Sequence, residues 1–336
     1  MNKIIECVPN FSEGKDPRKV AKIADAVQRV MGVKLLNVES DPDYNRTVIT
    51  FAGEPEAVKA AAFFAIETAA NVIDMTLQKG EHPRIGATDV CPFVPVANIT
   101  MAECVKIAHL LGKDVGERIG IPVYLYAEAA NVPQRYLLPD IRKGEYEGLS
   151  KKMSDAEWRP DYGPSVFNDR VKKTGATVIG AREFLIAYNV NLDTDDISVA
   201  NTISGTIRSS GRIKLKEKGE KERVAGTLKF VQAMGVDLKE YRITQVSTNI
   251  LNYKVTPPHV VFEEIKKLAN VYGVNVRGSE VIGLIPKGAL IAAGRFYSSE
   301  ENEQNLVNVA VEKLGLSQLN KFLPDKKVVE YMLGLN

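Results

Sequence analysis

The sequence predicts an α+β protein built from two similar halves. Its 336 residues exceed what one hydrophobic core usually organises, so two packed subdomains are expected. Apolar residues make up 45% and charged residues 26% of the chain, which is typical of a folded globular protein. Each half also shows the element order β-α-β-β-α-β. We therefore expect two subdomains, residues 1–178 and residues 179–336.

The first half begins with a short apolar run at residues 4–8, which predicts a strand that ends at Pro9. A helix follows, with Asp16 as N-cap, Pro17 as the first helical residue and Gly32 just past the end. The remaining elements are two strands at 34–38 and 47–51, a helix at 55–73 and a strand at 90–96.

The second half repeats this order. We predict a strand at 184–190, a helix at 195–208, strands at 228–234 and 241–249, a helix at 256–272, and strand-like runs at 274–276 and 281–285. Two pairs of strands, each flanked by helices, match the split β-α-β motif of ferredoxin-like folds. The alternative is coincidence, since strands and helices alternate in many proteins.

The segment between the halves, about residues 127–175, has a different character. Its prolines, glycines and charges leave little clear periodicity, which favours a functional segment or a linker. The capping box Thr100–Glu103 before it opens a helix predicted to reach Ile119. Further helices are predicted at 300–314 and 328–333, and the mixed-charge run 212–223 predicts an exposed loop.

Bulk properties exclude several classes of protein. The net charge is +2, from 44 basic and 42 acidic residues, and this balance disfavours a general nucleic-acid binder. The three cysteines form no C-x-x-C pair, which favours a reducing compartment. No signal peptide and no membrane-spanning run of about 18 apolar residues is visible. We expect a cytoplasmic protein that binds neither nucleic acid nor membrane.

Among the three histidines, His82 is the candidate for catalysis. It lies in a polar loop between a helix and a strand, and Pro83 restricts its backbone. An imidazole titrates near neutral pH, which suits a general acid–base. The alternative is an exposed loop histidine without a role. His109 within a helix is expected to be structural, and His259 in a first helical turn to lie at the surface or cap the helix.

A second polar cluster, residues 39–47, joins two predicted strands. Its three carboxylates and one arginine could hold a cationic or heteroaromatic group, or form a solvated turn. Residues 9–14 favour a turn. The sequence has no G-x-x-x-x-G-K-[ST] loop, no strand-linked G-x-G-x-x-G and no H-E-x-x-H. Phosphoryl transfer, dinucleotide redox chemistry and zinc hydrolysis are therefore disfavoured, and no metal is expected.

Seven stretches along the chain carry a resemblance to a known family. They are ECVPNFSEG (6–14), NRTV (45–48), GEHPRIGATDVCPFVPV (80–96), GIPVYLY (120–126), DYGPS (161–165), GATVIGAREFLIAYNVNL (175–192) and QVSTN (245–249). Together they resemble the formiminotransferase domain family, which includes glutamate formimidoyltransferase and the N-terminal part of formiminotransferase-cyclodeaminase. The block around GEHPR is long and specific.

This resemblance implies two ferredoxin-like subdomains, a folate groove between them and a homodimer. It implies that His82 is the catalytic acid–base and that Glu39, at a position where the family commonly has aspartate, is the active-site carboxylate, with Asp41 and Asp43 as alternatives. Substrate binding is expected from Asn10, Asn45, Arg46 and Arg84. Folate binding is expected from Gly163, Pro164, Ser165, Gly175, Ala176 and Thr177, with a short apparent insertion at 169–173.

The activity implied by the resemblance is transfer of a formimino group between N-formimino-L-glutamate and N5 of tetrahydrofolate, in histidine degradation. Tetrahydrofolate is the co-substrate and no metal is needed. The end of the chain at Asn336 leads us to expect a monofunctional transferase. Transfer of a formyl group from 5-formyltetrahydrofolate to glutamate, glycine as the carrier, and non-catalytic folate binding are the alternatives.

Overall fold

The chain divides into two compact units, Met1–Arg182 and Glu183–Asn336, close to the division predicted at residue 178. The computed structural model describes residues 2–215 and 221–335. No helix among these residues is long and apolar enough to cross a membrane.

The first unit contains seven strands and six helices within the part of the chain that is described. In chain order they are β1 (Ile4–Cys7), β2 (Asn10–Phe11), α1 (Pro17–Gln28), β3 (Val33–Asp41), β4 (Arg46–Gly53), α2 (Pro55–Val72), β5 (Thr88–Ala97), α3 (Met101–Asp114), β6 (Val123–Ala127), α4 (Leu138–Arg142), α5 (Leu149–Ser154), α6 (Asp169–Thr174) and β7 (Thr177–Ala181).

These strands form one mixed sheet. β1 and β2 are two parts of one interrupted strand, which lies between β4 and β5, and β3 pairs with the outer side of β4. All of these neighbours are antiparallel, whereas β7 and β6 extend the sheet from β5 as parallel strands. Each strand of the first half that the sequence predicted is present, with different end residues.

The sequence analysis missed β6 and β7. Val123 and Leu125 pack on one face of the sheet, while Tyr124 and Tyr126 pack on the other. A strand that is buried on both faces has no alternation of apolar and polar residues, so periodicity does not separate it from a buried helix.

Helices α1, α2 and α3 cover one face of this sheet and form its main core. α1 begins as predicted, since the Asp16 side chain accepts a hydrogen bond from the backbone N–H of Arg18 and Pro17 is its first residue. The helix ends at Gln28 rather than near Gly32, and Met31, which follows it, is 92% exposed.

Helix α3 begins with the predicted capping box between Thr100 and Glu103. The predicted extension to Ile119 is corrected by the structure, because the α-helix ends at Asp114 and continues as a wider π-helical turn over Val115–Ile119. Gly116 of that turn packs against Gly163, with only 2.5 Å between the Gly163 nitrogen and the position a Cβ would take.

The irregular segment 127–175 forms a second layer on the opposite face of the sheet. Its buried side chains Ile141, Leu149, Met153 and Val171 pack against Tyr124 and neighbouring strand residues. Helices α4, α5 and α6 are each only 5 or 6 residues long, which explains why they left no helical periodicity in the sequence. The segment is therefore a packed layer, not a free linker.

The second unit repeats the order of the first. Its elements are β8 (Ile186–Leu192), α7 (Ile197–Ile207), β9 (Arg212–Leu215), β10 (Lys221–Val224), β11 (Val231–Leu238), β12 (Ile243–Ile250), α8 (Pro258–Val271), β13 (Val276–Ile282), α9 (Lys287–Tyr297), α10 (Glu303–Lys313), α11 (Pro324–Lys327) and α12 (Val329–Leu333).

The main sheet of the second unit has the strand order β11-β12-β8-β13, with every pair antiparallel. The strands β3-β4-β1/β2-β5 of the first unit follow the same order, so both halves share one topology. The predicted runs at 274–276 and 281–285 are one strand, β13, and α9 was not predicted. The ends of the predicted loop 212–223 pair as β9 and β10, and its centre, 216–220, lies outside the described residues.

Candidate active site

The loop that carries His82 joins α2 to β5 and is fixed to its surroundings at several points. Gly80 lies against the turn before β4, where a Cβ would come within 2.4 Å of the Tyr44 carbonyl oxygen. At the other end, the Ser12 N–H donates to the Ala87 carbonyl at 2.9 Å. The loop is therefore held by backbone contacts on both sides of His82.

Asn45 ties two loops of the site together. Its Oδ1 accepts from the Gly14 N–H at 2.9 Å, and its Nδ2 donates to the Lys79 carbonyl at 2.8 Å. Its backbone is left-handed, with φ of 48°, a conformation that asparagine tolerates. Both ends of this buried amide are engaged by backbone, so the structure gives Asn45 a scaffolding contact at the site.

The His82 loop also pairs with the second part of the predicted folate-binding segment. Gly86 and Gly175 form an antiparallel bridge, and the Ala176 N–H donates to the Ile85 carbonyl at 3.0 Å. Gly175 has a φ of 68°, and an added Cβ would lie 2.2 Å from the Ile85 oxygen. This close approach requires glycine.

We expect Gly175→Ala to destabilise the protein, because the alanine would combine backbone strain of about 1–3 kcal/mol with the clash against Ile85. Thermal unfolding of the purified variant measures the loss. Gly120→Ala is the matched control, since Gly120 also has a positive φ, of 73°, but no atom lies within 4 Å of its added Cβ. Equal unfolding temperatures for the two variants would contradict the close contact.

His82 lies among cations. Burial is the largest influence on its imidazole, followed by the charges of Arg142, Arg46 and Arg84, and together they lower the pKa of His82 to about 3. Tyr44 meets the imidazole edge to face, with 6.4 Å between the ring centroids. The folded state thus favours neutral imidazole, which is the form that accepts a proton. The stability that His82 contributes is present above its unfolded pKa of about 6.5 and is lost as the pH falls towards 3.

Arg46 is the cation of this group without a hydrogen-bonded carboxylate. Its Nε is buried and has no hydrogen-bond partner among the residues that the structure describes. Burial lowers the pKa of Arg46, while the nearby charges of Asp41 and Glu39 raise it. An arginine remains charged in proteins, so a half-buried guanidinium in this state is suited to bind an anion.

Strand register places two more of the predicted residues on the same face as Arg46. Glu39 lies opposite Val48, and Val48 lies opposite Asn10, so these side chains form one row across β3, β4 and β2. Arg46 precedes Val48 by two residues and therefore projects from the same face. Glu39 is exposed on the outer strand rather than in the turn, and Asp41 faces Arg46 across the ladder.

Arg84 differs from Arg46 because all five of its N–H donors are engaged. Its Nε and one Nη2–H donate to Gln78, and the other three donate to Glu145 and Glu147 at distances of 2.7–3.1 Å. The guanidinium lines a cleft of about 480 Å³ with Lys79, Gly80 and Gly144. In this structure Arg84 fastens the segment 144–147 to the His82 loop.

The sequence analysis missed the pair Asp89 and Arg142. Nε of Arg142 donates to Oδ2 of Asp89 at 3.1 Å, its Nη2 donates to the same oxygen, and the Ile85 N–H donates to Oδ1 at 3.0 Å. A carboxylate buried beside an apolar strand requires a charged or hydrogen-bonding partner. The position of Asp89 next to such a strand therefore indicated that it has one. The identity of that partner, 53 residues away, had no signal in the sequence.

The predicted folate-binding residues fall into two groups. Gly175, Ala176 and Thr177 are buried at the start of β7. Gly175 and Ala176 pair with the His82 loop, whereas the Thr177 N–H donates to the Pro122 carbonyl. Oγ1 of Thr177 has no hydrogen-bond partner in the described part of the chain. Gly163 and Ser165 are exposed and Pro164 is half-buried, near the end of α3. No contact between this second group and His82 is seen.

The other two histidines differ in their surroundings. His109 Nδ1 lies 3.1 Å from the Tyr162 hydroxyl, which fits its predicted structural role. His259 is buried and stacks on Phe296 with 4.7 Å between ring centroids, so the prediction of a surface position is wrong. Within residues 2–215 and 221–335, no group of three or more His, Cys, Asp or Glu side chains is arranged to hold a metal ion.

Comparison with known families covers both units. Residues 4–182 match the model of the formiminotransferase domain, N-terminal subdomain, and residues 187–334 match that of the formiminotransferase domain. The chain belongs to the formiminotransferase family. The resemblance found in the sequence motifs is thereby confirmed.

Individual relatives support the family assignment. The chain is 44% identical over 314 residues to the glutamate formimidoyltransferase of Thermoplasma acidophilum, covering 92% of this chain and 98% of the relative. It is 42% identical to that of Streptococcus pyogenes serotype M1, covering 90% and 95%. The formimidoyltransferase-cyclodeaminase of Mus musculus is 44% identical over 99% of this chain, and the chain spans only 60% of that longer formiminotransferase relative.

Proposed function

We propose that this chain is a glutamate formimidoyltransferase that moves a formimino group between N-formimino-L-glutamate and N5 of tetrahydrofolate, as in histidine degradation. The observation that carries the proposal is that the half-buried His82 imidazole and the Arg46 guanidinium both contact the Tyr44 ring, at 6.4 Å between ring centroids and 5.8 Å from the guanidinium carbon to the ring centroid. The pKa of His82 is lowered to about 3, and Nε of Arg46 has no hydrogen-bond partner among the described residues. Both proposed substrates carry carboxylates, which a nearby arginine can bind, and a proton acceptor at the same place can assist transfer of the formimino group between them. Relatives named glutamate formimidoyltransferase match nearly the whole chain.

His82 handles one proton in this proposal. As N5 of tetrahydrofolate forms its bond to the formimino carbon, the imidazole takes the N5 proton. The imidazolium then gives this proton to the glutamate nitrogen as the carbon–nitrogen bond to glutamate breaks. Atoms and charge balance, and the imidazole ends neutral. One residue serves as base and then as acid because it reaches both nitrogens in turn.

Arg46 is the proposed grip for a substrate carboxylate, and its role links binding to catalysis. A carboxylate paired with Arg46 offsets one of the three cations that lower the pKa of His82. Substrate binding therefore raises the pKa of the imidazole, which strengthens it as a base when the substrate is present. Glu39, on the same sheet face, is the proposed carboxylate that stabilises the positive charge of the formimino group.

Asn10 is a further proposed substrate-binding residue, and residues 163–165 are proposed to contact folate. Asn45 and Arg84 are proposed to support substrate binding indirectly, by holding the loops of the site in place. The shared strand order supports two ferredoxin-like subdomains. The groove for folate, the homodimer and the exact subdomain bounds stay predictions from the resemblance. Three buried free thiols support a reducing compartment such as the cytoplasm.

The test is a turnover assay with two donor pairs, tetrahydrofolate with N-formimino-L-glutamate and 5-formyltetrahydrofolate with glutamate. We expect turnover with the first pair. Turnover with the second pair alone would replace the formimino group by a formyl group at the same site. Folate binding without turnover of either pair would make the chain a folate-binding protein and end the proposal.

A further inference from the structure

Two ion pairs hold the segment 142–147 to the region of the His82 loop. In one pair the segment supplies the carboxylates, and in the other it supplies the arginine. On one side of the loop, Arg84 donates to Glu147 and Glu145. On the other side, Asp89 accepts from Arg142. Between these pairs the Tyr146 N–H donates to the Arg84 carbonyl at 2.8 Å. The end of the His82 loop and the start of β5, residues 84–89, are thus held to one short segment of the second layer.

The pair of Asp89 and Arg142 is the more buried of the two. The Asp89 side chain is 1% exposed and that of Arg142 is 16% exposed, whereas Glu145 and Glu147 are 44% and 64% exposed. A buried ion pair holds its two elements together strongly, because removing one partner leaves an uncompensated charge. Oδ1 of Asp89 also accepts from the Ile85 N–H, so the carboxylate holds the loop backbone and Arg142 at once.

We propose that Arg142, anchored by Asp89, is a positioning residue for the His82 loop and holds a fixed positive charge near the imidazole. This inference rests on the proposed function of His82. It adds Arg142, which comes from the irregular segment 127–175 and lies outside the sequence motifs of the family resemblance.

Several charged groups surround His82 from different elements, and Arg142 ranks first among them. Arg142 comes from α4, Arg46 from β4 and Arg84 from the His82 loop itself, and all three act on the imidazole in the same direction. The carboxylates that face these cations, together with the phenol next to the imidazole, are Asp89, Glu145, Glu147, Glu39, Asp41 and Tyr44.

Arg142 is better placed than Arg46 or Arg84 to act as a permanent cation. The buried Nε of Arg46 has no hydrogen-bond partner among the residues that the structure describes, and Arg46 is the proposed partner of a substrate anion. Arg84 is paired with two glutamates, whose charges offset its own. Arg142 is fixed by a buried partner and carries no proposed substrate contact, so its effect on His82 persists through the reaction.

The experiment uses the full chain and the variants R142Q, R142K and D89N, with R135Q as the matched control. Arg135 forms a comparable buried pair with Asp161, at 2.8 Å and with side chains 7% and 6% exposed, and it does not contact the His82 loop. The measurements are the folded fraction and the unfolding temperature by circular dichroism, kcat normalised to that folded fraction, and the titration of the His82 imidazole by NMR.

For R142Q we expect kcat of the folded fraction to fall about tenfold or more and the His82 titration to move upward from about 3 towards 6.5. R142K keeps the charge but loses the forked contact with Asp89, so kcat falls and the titration stays low. D89N removes the negative charge that anchors Arg142, so we expect kcat to fall. Because Arg142 keeps its positive charge, the pKa of His82 should not rise. R135Q lowers the unfolding temperature and leaves the titration unchanged.

The proposal is overturned if R142Q keeps the wild-type titration, or if the losses in R142Q, R142K and D89N are explained by unfolding alone, as in R135Q. The NMR titration needs no turnover, so it tests this inference even if the wild-type chain fails both donor assays. Failure of the proposed function and failure of the inference are therefore distinguishable.

Discussion

Replacing His82 by alanine is expected to lower kcat by about 10²–10⁴-fold, which is the usual contribution of a general acid–base. The affinity for tetrahydrofolate should change little, because the imidazole is proposed to transfer a proton and not to hold the ligand. The measurement is steady-state kinetics with N-formimino-L-glutamate, alongside equilibrium binding of tetrahydrofolate. Alanine also removes a half-buried imidazole, so the unfolding temperature of the variant is measured in parallel.

His259→Phe provides the control for this variant. His259 is a buried histidine of the second unit that stacks on Phe296, and phenylalanine retains that stacking. We expect its kcat to stay at the wild-type value. An unchanged kcat in His82→Ala, or an equal loss in both variants, would end the assignment of His82 as the acid–base.

Replacing Arg46 by methionine is expected to raise KM for N-formimino-L-glutamate about 10- to 150-fold. The factor follows from the loss of hydrogen bonds to a charged group, about 1.5–3 kcal/mol. Methionine keeps much of the length of the buried stem and removes the charge. Arg46 is one of the three cations that lower the pKa of His82, so its removal raises that pKa. The imidazole then becomes protonated, and unable to accept a proton, at a higher pH, so the acid limb of the kcat/KM profile moves to higher pH.

The matched control is Arg18→Met. Arg18 pairs with Asp16 at the start of α1, and its side chain is 87% exposed. This variant should keep the wild-type KM. If Arg46→Met raised KM for tetrahydrofolate and left KM for the glutamate donor unchanged, Arg46 would face the folate instead, contrary to its proposed role.

The regular elements of the fold were predictable because local signals and burial agree. Asp16 and Pro17 mark the start of α1, and Thr100 with Glu103 marks that of α3. β6 and β7 lacked such a signal because both of their faces are buried. The short helices α4 to α6 also escaped prediction, since their packing against the sheet, and not their own periodicity, stabilises them.

The site was predictable only in part. The position of His82 in a polar loop between a helix and a strand singled it out, and register explains why Glu39, Asn10 and Arg46 share one face. The two glutamate partners of Arg84 lie 61 and 63 residues away in the chain. Such contacts depend on how the second layer folds back over the sheet, and no spacing within the motifs encodes them.

The central claim is that His82 is a neutral base held among arginines. NMR titration of the imidazoles tests it most directly, since the chain has only three histidines and His82→Ala assigns the relevant signal. We expect His82 to remain unprotonated through neutral and mildly acidic pH, with a pKa of about 3. A His82 signal that titrates at or above about 6.5 in the free enzyme would contradict the claim.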